Sequence, residues 1–120
     1  RDRSVSRGLG DVYKRQAMLS CGTCMSKFTG SRGKSGSNDA NAEFVGEVRA
    51  MFDRAGVVWQ TAELGKVDAG GGGTVAKYLA NLNIDTVDLG VPVISMHAPW
   101  ELISKADLYS NYRAFIAFMA

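Results

Sequence analysis

A chain of 120 residues, 46% hydrophobic and 22% charged, is ordinary globular material amounting to one domain or part of one. No apolar run approaches the roughly 20 residues a transmembrane helix needs, and no signal-peptide pattern opens the sequence. Two cysteines cannot build a disulfide framework, so the expected compartment is a reducing cytoplasm.

The formal net charge of +2 is unevenly placed. Residues 1–16 hold five basic and two acidic side chains, which leaves nine basic against ten acidic in the remainder. The segment has no strand or helix periodicity. Over Ser4 to Gln16 it resembles a translated sequencing-adapter string. A basic nucleic-acid-binding arm is the rival reading, but Tyr13 is its one aromatic and its basic residues follow no repeated spacing. Residues 1–16 are therefore expected to be a disordered artefact, and the gene is expected to extend upstream.

From Ala17 the chain alternates. Residues 17–29 read as a strand or two, and Gly30 to Gly36 as a flexible loop. Ser37, Asn38 and Asp39 offer N-cap side chains to a helix carrying Phe44, Val45, Val48, Met51 and Phe52 at helical spacing, with Gly56 as its stop. Val57 to Thr61 reads as a strand. A glycine-rich loop over 65–73 leads into a short helix over 74–82, followed by strands over 86–89 and 91–96. Residues 106–119 form an amphipathic helix with Leu108, Tyr112, Phe115, Ile116 and Met119 on one stripe, which reads as core packing. Helices alternating with short β-branched runs indicate an α/β layered sheet.

Chemistry could reside in several places. Cys21-Gly22-Thr23-Cys24 has the spacing of a redox pair or of half a zinc site, but no second pair and no capped helix follows. The four glycines Gly70 to Gly73 could wrap an anion at a helix start, yet no Lys-Ser or Lys-Thr pair follows as a phosphate loop requires. Lys27, Lys34, Ser37 and Asn38 make a basic, serine-rich loop suited to a carboxylate or simply to water. His97, the sole histidine, stands where a strand yields to a loop. There an imidazole can ligate a metal, move a proton or complete a core. Glu101 lies four residues on, but Pro99 forbids the continuous helix that would align the two.

Taken together, the strings KFTGSRGKSGSNDANAEF (27–44), WQTAELGKVDAGGGGTVA (59–76), DLGVPVISMHAPWE (88–101) and SKADLY (104–109) resemble, in that order, the C-terminal part of the aspartyl-aminopeptidase family of zinc metallopeptidases (vacuolar aminopeptidase I type), in its bacterial branch. The resemblance covers roughly residues 25–119. It implies an α/β fold for residues 17–120, the C-terminal portion of a catalytic domain whose mixed sheet is flanked by helices. It also implies a two-zinc aminopeptidase acting on peptides, homo-oligomeric when complete, with no nucleic-acid or membrane partner.

The family's last metal ligand matches His97, and its substrate contacts fall near Lys27, Asp68 and Gly72. The other ligands and the general-base glutamate are expected upstream, so the fragment is expected to be inactive alone. The alternative is a non-catalytic α/β module that binds an anionic small ligand through its glycine-rich loops.

Overall fold

The structure is a computed structural model that describes residues 17–26, 28–29, 38–62 and 75–120. The strand β1 (Thr23–Ser26) occupies the centre of a three-stranded mixed sheet. It runs parallel to β4 (Trp59–Thr61), with Thr23 opposite Trp59, and antiparallel to β5 (Asp88–Gly90), with Met25 opposite Leu89. All four β1 residues are buried. Two small antiparallel pairs accompany this sheet: β2 (Phe28–Thr29) with β3 (Asn38–Asp39), and β6 (Val93–Ile94) with β7 (Leu102–Ile103). The helices are α1 (Ala42–Arg54), α2 (Val75–Ala80) and α3 (Lys105–Met119). The mixed sheet with flanking helices is the architecture the sequence indicates.

The core lies between the sheet and helices α1 and α3. Met25, Val48, Phe52, Val57 and Ala114 form it, with Phe44, Trp59, Val87 and Leu89 packed around them. Val48 and Phe52 are four residues apart on α1, so they share one face of the helix and meet the sheet together. Helix α1 begins at Asn41, whose side chain accepts the Glu43 N–H at 2.9 Å. The cap thus falls beyond the Ser37 to Asp39 cluster, because Asn38 and Asp39 pair with β2 as β3. At the other end Gly56 takes φ +60, as a helix stop requires. Arg113 of α3 donates to the Ala55 carbonyl at 2.6 Å, satisfying an orphan acceptor where the helix dipole favours a cation.

The first turn of α3 ties the two ends of this unit together. Asp107 is completely buried and accepts two backbone N–H bonds, from Ser20 at 2.7 Å and Gly22 at 2.8 Å. One turn on, the Asn111 carbonyl oxygen accepts the Thr23 hydroxyl at 2.7 Å. Gly22 has φ +92, and a Cβ at that position would overlap the Val58 carbonyl. Glycine is therefore required where the chain turns into β1.

Helix α3 departs from the sequence reading. Its buried face is Asp107 and Ala114, with Asn111 half-buried. The stripe of Leu108, Tyr112, Phe115, Ile116 and Met119 is 46% to 74% exposed. Small and hydrogen-bonding residues let the helix approach β1 closely, and that contact turns the large side chains outward among the described residues. No helix among the described residues is long and apolar enough to cross a membrane.

Candidate metal centre

The site begins where β6 ends. The register pairs Val93 with Ile103 and Ile94 with Leu102, so residues 95–101 form a hairpin loop on a closed base. Inside it the Ala98 N–H donates to the Ser95 carbonyl at 3.0 Å. Ser95 and His97 both hold left-handed backbone, at φ +60 and +68. That conformation costs a non-glycine residue about 1–2 kcal/mol, although histidine tolerates it better than most.

A specific contact offsets this cost. The His97 N–H donates to Glu101 Oε1 at 2.6 Å, across the mouth of the loop. A hydrogen bond to a charged group contributes about 1.5–3 kcal/mol, less at an exposed position such as this one, where water competes for the carboxylate. Glu101 thus meets His97 through a turn, where the sequence reading considered only a helix. The His97 ring is exposed and hydrogen-bonds to no described residue. Its nitrogens are therefore available for a ligand, but no three His, Cys, Asp or Glu side chains converge as a metal cluster among the described residues. His97 fits a metal as one ligand of a set, not as a complete site.

The other sequence candidates stand apart. Lys27, Lys34, Ser37, Asp68, Gly72 and the rest of both glycine-rich loops lie outside the described residues, as does the 1–16 segment. Cys21 and Cys24 are free thiols. Cys24 is buried in β1, and burial pushes its thiol up to about 11, while hydrogen bonds from Ser26 and Ala62 pull the other way. A redox nucleophile needs an acidified, accessible thiol, and Cys24 has neither property. A cavity of about 310 Å³ opens among α1, α2, α3 and β5, lined by Phe44, Val48, Leu79, Phe115 and Phe118 together with Asp85 and Asp88. One buried oxygen of Asp88 lacks a hydrogen-bond partner among the described residues. Such an apolar wall carrying carboxylates does not suit an anion, and it includes no residue of the His97 loop.

The β6–β7 hairpin thus carries an exposed imidazole, with no hydrogen bond to a described residue, on a loop whose base is closed. The family described as aminopeptidase I zinc metalloprotease (M18) matches residues 11–119, and the chain belongs to it. Within that family the chain is 51% identical over 106 residues to the probable M18 family aminopeptidase 1 of Clostridium acetobutylicum, covering 88% of this chain and 23% of the relative. It is 50% identical over 101 residues to the probable M18 family aminopeptidase 1 of Thermotoga maritima, covering 84% and 22%. The crystal structure of aminopeptidase I from C. acetobutylicum superimposes with a TM-score of 0.81 at 50% identity, over 89% of this chain and 24% of that one. The T. maritima M18 aminopeptidase crystal structure gives the same TM-score at 47% identity, over 91% and 24%. The chain thus spans about a quarter of the length of the relatives it matches.

Proposed function

We propose that this chain supplies the last metal ligand, His97, to a two-zinc aminopeptidase that removes N-terminal residues from peptides. The supporting observation is the exposed, unbonded imidazole on a strapped loop, in a chain that belongs to a zinc metalloprotease family. When bound, a zinc pair would supply a water of lowered pKa and polarise the scissile carbonyl. The protein's part at this position is to present one ring nitrogen in a fixed direction.

Lys27, Asp68 and Gly72 are assigned to substrate contact by their place in the matching strings, and the general-base glutamate to sequence upstream of residue 17. The 120-residue chain alone is then inactive. The complete protein works as a cytoplasmic homo-oligomer. The alternative of an anion-binding module gains nothing from the relatives, which are aminopeptidases by name.

The test is a hybrid in which residues 17–119 replace the homologous segment of the C. acetobutylicum enzyme. It should bind zinc and cleave aminoacyl substrates, and His97→Ala should abolish both. A His97→Ala hybrid that retained full zinc would defeat the assignment. So would zinc-dependent cleavage by the isolated chain.

A further inference from the structure

We infer that Glu101 is the positioning residue of the site, acting through the backbone of His97 rather than through its ring; this rests on the reading of His97 as a zinc ligand. Three restraints act on the loop 95–101. The β6–β7 pairs close its base, and the Ala98 to Ser95 hydrogen bond tightens its first half. The Glu101 carboxylate spans the rest, taking the His97 N–H at 2.6 Å.

Only the third restraint touches the residue that bears the imidazole. His97 is also a non-glycine residue at φ +68, a conformation the backbone leaves readily unless something holds it. If φ relaxes to the ordinary negative region, the Cα–Cβ bond swings and the imidazole points elsewhere, although the side chain itself is unchanged. A zinc ligand must lie within a few tenths of an ångström of its bond length. Control of the backbone angle is therefore control of affinity.

The usual support for a ligating histidine is a hydrogen bond to its second ring nitrogen. Among the described residues nothing occupies that position. The supporting carboxylate is found instead on the main-chain N–H of the same residue. Glu101 leads directly into β7, whose pairing with β6 fixes the base from which its side chain reaches. The side-chain length matters, because aspartate falls one methylene short and glutamine reaches with a neutral acceptor.

The test has two arms. In the 15N-labelled 120-residue chain, the His97 amide proton should be shifted downfield and slow to exchange. Glu101→Ala should lose both properties, and Glu101→Gln should recover part of the protection. In the hybrid enzyme described above, Glu101→Ala should weaken zinc retention by about 10- to 100-fold, the range typical for loss of a ligand's support. Its kcat at subsaturating zinc should fall while KM for the aminoacyl substrate stays close to wild type. Glu101→Gln should restore much of the loss and Glu101→Asp little.

An unchanged His97 amide in Glu101→Ala overturns the proposal. So does wild-type zinc retention in that variant while His97→Ala loses its zinc. If His97→Ala retains zinc, the ligand reading itself is at fault, and the proposal falls with it even where the amide signature is present. A general fold defect would appear as an equal loss in the Gln variant together with a lowered unfolding midpoint.

Discussion

Replacing Asp107 by alanine tests how the unit is held together. The carboxylate is fully buried and accepts two N–H groups that have no other described partner, those of Ser20 and Gly22. Each orphaned buried donor costs about 1–3 kcal/mol. The Gly22 group, in a buried contact, belongs near the upper end, and the Ser20 group, at an exposed residue that water can reach, near the lower. Removing a negative charge from the first turn of α3 adds about 0.3–1 kcal/mol. The total is roughly 3–5 kcal/mol, a large share of the 5–15 kcal/mol typical of a whole domain. Asp107→Asn separates the contributions, because its carbonyl oxygen can still accept one N–H while its amide group opposes the other. Urea unfolding of the 120-residue chain followed by far-UV circular dichroism should rank the wild type above Asn and Asn above Ala at similar m-values. An alanine variant within about 0.5 kcal/mol of wild type, the usual scatter of surface substitutions, would refute the role given to this carboxylate.

Three further outcomes are expected. Gly22→Ala combines a left-handed φ with a collision against the Val58 carbonyl; it should destabilise by more than the ~1 kcal/mol that separates glycine from alanine in ordinary backbone, measured by the same unfolding curves. Cys24, with its thiol raised from 9.0 to about 11, keeps its proton in the folded state while the unfolded chain loses it. Stability should accordingly fall between these two pH values by about 2–3 kcal/mol, and Cys24→Ala should remove that part of the slope. Lysine at Tyr112 and Ile116, which are 61% and 47% exposed, should reduce concentration-dependent association in sedimentation runs and leave the unfolding midpoint near wild type; a large drop in the midpoint would show that the outer face of α3 is already packed.

The helices were legible because the 3.6-residue period is long and redundant in this chain. The spacing predicts a helix over 106–119, and α3 spans Lys105–Met119. Its orientation was not legible. Periodicity ranks faces by hydrophobicity, but here hydrogen bonds from the 20–23 segment to Asp107 and Asn111 decide which face turns inward. The α1 cap at Asn41 differs from the expected Ser37 to Asp39 cluster for a related reason. Several capping side chains lie within five positions, and only the pairing of Phe28 with Asp39 selects Asn41. Strand β7 has two residues and therefore no period to detect. At the site, His97 was found through its flanking strings. The contact with Glu101 was not, since a left-handed turn at a histidine leaves no glycine to announce it.

Because Asp107 closes onto Gly22, the order of synthesis has a consequence. The two residues are 85 positions apart, and at roughly 5–20 residues per second a ribosome needs about 4–17 s to deliver the second after the first. Hairpins form in microseconds, so β1 waits for α3 far longer than any local folding event lasts. It waits without the neighbours that bury its four residues in the folded unit, which arrive in the order β4, β5 and α3. Nascent-chain yield should therefore depend on chaperone supply during those seconds more than on the final stability of the folded unit.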